Sequence, residues 1–422
     1  MEHLKDRVTP LSFPMIEVDE ACALVRRLVT PLTPFSVSFQ AALGHVLAED
    51  IVATDHLPPF PASVVDGYAM RAADGDLPRR IVAEQTAGQE LNLVLAAGEA
   101  VWVTTGAPIP KGADVVVKVE ETERVDGKVR PLVPLQEGAN IRPVGYDIHK
   151  GQRVLTRGTL LGPAEVGVLA AVDALEVRVY PRPRVAVFST GDELVEPGLP
   201  LAPGKIRDSN RYALMAAVKA YGGIPLDLGQ VRDEEELLEA ALDRGLAEGD
   251  MIISSGGVSM GNKDLLKALL ARRGDIHFGR VRAKPGKPVT FATVEEKPVF
   301  ALPGNPVSAL VAFHLYVVPA LRLRAGELQW QRAWVRVRLG HDVRRSPGRV
   351  EFQRAHVQAQ DGVLWAYTTG LQASSRLVSM VGADVLLRME ADWEYIPQGT
   401  ELRAMILAPV PAWLSDEGGD CV

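Results

Sequence analysis

Two lysines three residues apart, Lys284 and Lys287, lie in the run KPGKP with Pro285 and Pro288. Proline restricts the backbone, so a loop carrying two ammonium groups here costs less to order and reads as a preorganised anion site. Upstream, MIISSGGVSMGNKD carries an apolar strand into Gly256, Gly257 and Ser259, with Asp264 at the entry of the next helix. Downstream, VFALPGNPVSALVAF carries a second strand into Pro303, Asn305 and Pro306, where another helix opens. Helix starts expose backbone N–H groups that hold anions. These turns and the lysine loop together point to a nucleotide phosphate and a second anion.

Asp264 reads equally well as a helix N-cap and as a ligand. A carboxylate beside a phosphate turn repels the phosphate unless Mg²⁺ lies between them, which makes Mg²⁺ the expected cofactor. Further acids stand in turns: Asp66 in VVDGYAM, Asp147 in GYDIHK, Glu193 in GDEL and Asp233 in VRDEE. Each alone reads as a turn or cap residue. Arg354 in PGRVEFQR and Ser374 in GLQASSR carry the groups that grip a tetrahedral oxyanion, a two-pronged guanidinium and a hydroxyl. Their spacing alone does not bring them to the lysine loop. None of the eight histidines forms a ligand-spaced pair, so oxygen ligation of a hard cation is favoured over a histidine site.

The elements that must position these residues follow from periodicity. Residues 15–28 space apolar side chains on one helical face. From about residue 46 the texture is short β-like runs, with Asp126-Gly127 marking a hairpin. Residues 151–179 read as strand, then a helix opened by Pro163, then strand. From Arg184 strands and helices alternate, which predicts a largely parallel three-layer α/β domain whose ligand site lies beyond the strands' carboxyl ends. After Trp330 the texture is all β, suggesting a small barrel or sandwich.

A chain of 422 residues should hold three or four domains. The formal charge of −7 argues against a general nucleic-acid or anionic-membrane binder while leaving room for a local basic pocket. Two cysteines, Cys22 and Cys421, exclude a disulfide framework and a cysteine-ligated metal. MEHLKDRVTP has no apolar core for a secretory signal. The apolar helix candidate Val307–Leu321, interrupted by Ser308, His314 and Pro319, is expected to be too short to span a bilayer and to form a buried core helix. A cytoplasmic location, with no membrane or nucleic-acid partner, is the expectation.

The ordered set FPASVVDGYA, VTTGAPIPKGADVVV, NIRPVGYDI, STGDEL, SGGVSMGNKD, KPGKP, LPGNPVSA and PGRVEFQR closely resembles the molybdopterin molybdenumtransferases. These are the bacterial MoeA proteins and the related domains of plants and of animal gephyrin. The resemblance implies an α/β multidomain chain. A central three-layer molybdopterin-binding-type domain is expected at 1–30 plus 180–328, and a small linking α+β domain at 31–45 plus 148–179. A β-rich inserted domain is expected at 46–147, a C-terminal β-barrel-like domain at 329–410, and a tail at 411–422.

It also implies an enzyme that takes adenylylated molybdopterin and molybdate, inserts the metal, and releases AMP with Mg²⁺. Lys284, Lys287, Pro288, Arg354 and Ser374 would form the molybdate pocket. Ser259, Asp264, Glu193 and Asp233 would surround the adenylate, with Asp264 and Glu193 toward Mg²⁺. Asp66, Thr105 and Asp147 would reach the cleft from the partner subunit of a homodimer. PASVVDGYA, Tyr146 and Arg280 depart from the common bacterial pattern. The competing readings are the adenylyltransferase of the preceding step (which could also be a docking partner), a CinA-type amidase, and a gephyrin-like scaffold without catalysis.

Overall fold

In a computed structural model, residues 13–89, 92–257 and 265–407 are described. The runs RVAVF and MIISS form adjacent central strands, Arg184–Thr190 and Met251–Ser255, in a six-stranded sheet. Four strands run parallel in the order Ile224–Val231, Arg184–Thr190, Met251–Ser255, Lys297–Leu302. Thr290–Val294 and Asp275–Phe278 extend the sheet antiparallel.

Strand side chains alternate in direction, and here both faces are apolar. Val185, Val187, Met251, Ile253 and Phe300 pack with Leu214 and Val218 of the helix Asn210–Ala220. Ala186, Phe188, Ile252 and Ala301 pack on the other face with Leu238 and Leu242 of the helix Glu235–Glu248 and with Leu266 and Leu269 of the helix Leu265–Arg273. Both faces being covered is why these strands read as continuous apolar runs. Removing a buried leucine such as Leu242 would cost about 2–5 kcal/mol.

The helix after LPGNP corrects the expectation of an interrupted segment. It runs Pro306–Arg324, 19 residues, long and apolar enough to cross a membrane, yet 78% buried inside the protein. A π turn at Phe313–Val317 joins Pro306–Ala312 to Val318–Arg324. The wider turn accommodates Pro319, which lacks an N–H and whose ring crowds the preceding turn. His314 lies inside it, and burial pushes its imidazole down to about 3.

Five strands after residue 330 close into a barrel. Val350–Gln360 pairs with both Val363–Thr368 and Val385–Met389. Glu401–Ile406 pairs with Val385–Met389 and with Trp334–Leu339, which returns parallel to Val363–Thr368. Val337, Leu339, Ala355, Val357, Leu387 and Leu402 fill it. The short strand Ala283–Lys284 joins the barrel's sheet parallel to Val350–Gln360 and sets Lys284 opposite Glu351.

Residues 36–43 and 47–179 form a second compact unit, while the α/β layers and the barrel share the first. The second unit holds a six-stranded sheet ordered Val115–Lys118, Gly67–Met70, Glu99–Val103, Arg79–Gln85, Lys128–Pro131, Thr122–Val125. Its hairpin turns at Asp126 and Gly127, both with positive φ (48° and 75°), as the sequence predicts. Pro163 opens the helix Pro163–Ala171, and the Glu165 carboxylate accepts the N–H of Gly162 at 2.9 Å.

Candidate functional site

The parallel strands deliver three turns to one edge of the sheet. Gly256 and Gly257 have φ of 91° and 69°. A Cβ on Gly256 would stand 2.1 Å from the Thr190 carbonyl oxygen, so only glycine fits. The Gly256 N–H donates to the Leu302 carbonyl at 3.1 Å, and Gly304 approaches the Gly256 backbone. Asn210 ties these turns from the helix above, donating through Nδ2 to Ser255 Oγ at 2.8 Å and to the Gly304 carbonyl at 2.7 Å. Asn305 precedes Pro306 at the helix start without a side-chain cap hydrogen bond. Ser259 and Asp264 lie outside the described residues.

Two predicted acids border the same edge. The Thr190 hydroxyl donates to Asp233 Oδ1. The carboxylate of Glu193 folds back over Gly191, where a Cβ would meet Oε2 at 2.7 Å. Both acids are exposed. Sequence reading missed a buried arginine paired with Glu196, three residues after Glu193. Arg211 donates through Nε to Asp208 at 3.0 Å, through Nη1 to Asp227 at 2.5 Å, and through Nη2 to Glu196. Burial opposes its charge, but the carboxylates of Asp227 and Asp208 outweigh that and raise its pKa. Among the described residues no three His, Cys, Asp or Glu side chains form a metal cluster. Glu193 and Asp233 nonetheless present hard oxygen donors beside a glycine turn, a donor set that suits Mg²⁺.

The lysine loop meets the barrel and the helix start. A Cβ on Gly286 would be 3.7 Å from the Ser308 carbonyl oxygen, so KPGKP packs on the first turn of that helix. Ser374 accepts the Val307 N–H through its backbone carbonyl at 3.1 Å, which removes that N–H from any anion. Arg354 is fully buried, donating through Nε to Ser379 Oγ at 3.1 Å and through Nη2 to the Ala373 carbonyl at 3.3 Å. Burial lowers its pKa to about 10, against the opposing pull of Glu351. Lys284, Lys287, Pro288, Arg354 and Ser374 thus come from loop and barrel to one region around the Pro306 turn. Pro303 ends the strand there, buried.

Sequence reading also missed Glu351, which is 3% exposed. Its Oε2 accepts from Lys284 Nζ at 3.2 Å and from Arg345 Nε at 2.9 Å, and its Oε1 accepts from Gln353 Nε2 at 3.2 Å. Lys287 has no side-chain hydrogen bond or ion pair among the described residues. PGRVEFQR shows an acid between two arginines, but not its pairing with Lys284.

In the second unit, Asp66 and Thr105 meet. Asp66 Oδ1 accepts the Thr105 N–H at 2.6 Å and its hydroxyl at 3.0 Å, and these two bonds hold the carboxyl below its ordinary range. Gly67 must be glycine, since a Cβ would fall 2.0 Å from the Val117 carbonyl oxygen. Asp147 is exposed, anchored by its N–H to the Leu57 carbonyl at 2.9 Å. Tyr146 lies under the Arg142 guanidinium, 5.4 Å from its ring centroid. His56 and His149, distant in sequence, stand with ring centroids 6.0 Å apart. A cavity of about 550 Å³ in this unit, lined by Phe60, Gln85, Pro110 and Ile141, contains none of the candidate residues.

Comparison with known proteins accounts for most of the chain. The family described as MoeA N-terminal region (domain I and II) matches residues 16–172. A probable molybdopterin binding domain matches 186–323, and the MoeA C-terminal region (domain IV) matches 336–407. The molybdopterin molybdenumtransferase of Nostoc sp. is 35% identical, covering 93% of this chain and 94% of that one. The Haemophilus influenzae molybdopterin molybdenumtransferase is 33% identical over 90% and 95%. The molybdenum cofactor synthesis protein cinnamon of Drosophila melanogaster is 38% identical over 92% of this chain but only 64% of its own length. A molybdopterin biosynthesis MoeA protein from Pyrococcus horikosii has a solved structure that superposes with a TM-score of 0.80 at 32% identity, covering 93% of this chain and 99% of that one.

Proposed function

We infer the activity from one premise: this chain belongs to the MoeA family of molybdopterin molybdenumtransferases. It is an enzyme of molybdenum cofactor biosynthesis that transfers molybdenum from molybdate to molybdopterin. The finer reading is that the pterin arrives adenylylated and that AMP leaves. The observation that carries the assignment of the site is the meeting of KPGKP, the Pro306 helix start and the Ser374 segment beside a buried arginine.

Each residue has a physical task in this reading. Lys284 and Lys287 supply positive charge to a tetrahedral oxyanion, and the buried Arg354 guanidinium adds to it. The Ser374 hydroxyl remains to donate, since only its carbonyl is engaged with the helix. Gly256, Gly257, Pro303, Asn305 and Pro306 shape the edge that receives the phosphates. Mg²⁺, held by Glu193 and Asp264 with Asp233 nearby, would screen the phosphoanhydride charge. The nucleophilic sulfurs belong to the substrate, so the protein's part is placement and charge neutralisation. The enzyme acts as a homodimer in this reading, with the partner subunit's Asp66, Thr105 and Asp147 completing the cleft.

Incubating the purified protein with adenylylated molybdopterin, molybdate and Mg²⁺ tests this reading. Stoichiometric AMP release with formation of active cofactor is the expected result. An adenylyltransferase or a scaffold would form no active cofactor in that mixture.

A further inference from the structure

We propose that Glu351 is a positioning residue that holds Lys284 in a resting place and sets how tightly the lysine loop grips an oxyanion. The inference rests on reading that loop as the oxyanion site. Lys284 and Glu351 are direct partners across a parallel strand pair. A buried carboxylate beside an anion site lowers its affinity, since its own charge repels the incoming ligand. Its presence there therefore calls for a role other than affinity.

The two cations on Glu351 differ in freedom. Arg345 is locked: its side chain is 1% exposed and it also donates through Nη1 to the Glu390 and Trp393 carbonyls, each at 2.6 Å, and through Nη2 to Arg349. Among the described residues the Lys284 ammonium has one partner, Glu351, and its side chain is 37% exposed. Lys284 can swing to an arriving oxyanion while Arg345 and Gln353 keep the Glu351 carboxylate paired. No buried charge is stranded by that exchange, which would otherwise be prohibitive. Lys287, by contrast, has no partner among the described residues to leave. The two lysines are therefore inequivalent: Lys287 is a standing charge and Lys284 a transferable one. Such a site holds molybdate firmly enough to place it and loosely enough to surrender it.

Titration of the full-length protein with tungstate, an inert stand-in for molybdate, tests this. Lys287→Ala should weaken tungstate about tenfold or more, and Lys284→Ala only about threefold, because its gain on binding is offset by leaving Glu351. Glu351→Gln should tighten tungstate about tenfold, and Lys284→Ala added to it should then cost about tenfold. In turnover, Glu351→Gln should lower KM for molybdate and lower kcat with it. A folded Glu351→Gln protein whose tungstate affinity is unchanged or weaker overturns the proposal, since a merely structural carboxylate can only lose binding when removed. If Glu351→Gln does not fold, equal losses for Lys284→Ala and Lys287→Ala in the native background overturn it. A wild-type protein that binds tungstate, with Lys287→Ala weakening it, leaves the oxyanion reading standing when this one fails. No tungstate binding at all removes both.

Discussion

Thr190 faces two ways: its carbonyl presses on Gly256 and its hydroxyl donates to Asp233. One residue at the end of a central strand thus spaces the glycine turn from the acidic turn beside it. Any change that moves the glycine turn also moves the acid.

Gly256→Ala should damage that spacing. Its Cβ would overlap the Thr190 oxygen at 2.1 Å, and its φ of 91° disfavours any side chain. Gly127→Ala provides the control, with φ of 75° and open space around the added carbon. The control should lose about 1 kcal/mol and Gly256→Ala at least about 2–3 kcal/mol, read from urea midpoints.

Thr105→Val should free Asp66 from one of the two bonds that depress its pKa. The Asp66 titration, followed by carboxyl carbon NMR, should move up toward the ordinary carboxylate range. A folded-state pKa that is lowered stabilises the protein above the unfolded pKa and loses that effect as pH falls through the folded value. The stability difference between wild type and Thr105→Val should therefore be full at neutral pH and shrink in acid.

His314 gives a second acid-sensitive element. Burial lowers its imidazole from 6.5 to about 3, so the folded state favours the neutral ring. The linked stability is present above about pH 6.5 and is lost progressively as pH falls toward 3. His314→Leu should flatten the decline in urea midpoint over that window, by on the order of a few kcal/mol at most. An unchanged slope would show that other groups dominate acid unfolding.

Glu193→Gln removes an exposed carboxylate that has no side-chain hydrogen bond among the described residues, so the fold should be unaffected. The Mg²⁺ concentration for half-maximal AMP release should rise severalfold, and Asp264→Ala should do the same. Wild-type Mg²⁺ dependence in both would exclude these carboxylates as the metal's ligands.

Mixing Asp66→Ala protein with Lys287→Ala protein should recover part of the activity. A heterodimer with a shared cleft has one cleft bearing neither lesion. No recovery between subunits shown to exchange, for example by mass spectrometry, would count against a cleft shared between subunits.

The central sheet was legible because its strands, covered on both faces, are unbroken apolar runs between amphipathic helices. Asp126-Gly127 announced its hairpin through residue types that accept positive φ. The turn between Thr290–Val294 and Lys297–Leu302 gave no such signal, since Glu295 and Glu296 adopt φ of 49° and 62° without glycine or asparagine. Tertiary packing there outweighs local preference. The lysines and Arg354 were found by type, but the Glu351 carboxylate between them depends on a strand pairing that links residues 284 and 351. Spacing along the chain cannot show such a pairing. Arg211 was hidden in the same way, because beside Asp208, three residues before it, its partners Asp227 and Glu196 arrive from separate segments.

The strand Ala283–Lys284 has its hydrogen-bonding partner in Val350–Gln360, made later in synthesis. During translation the central sheet can close as soon as Lys297–Leu302 emerges, because all its strands precede that point. The lysine loop cannot pair yet: its partner strand Val350–Gln360, its buried carboxylate Glu351 and Arg345 all belong to chain not yet made. A nascent or truncated chain ending before residue 340 would thus carry every strand of the central sheet and a lysine loop without its partner strand. The pairing that sets Lys284 opposite Glu351 therefore forms only after the barrel strand Val350–Gln360 has been made.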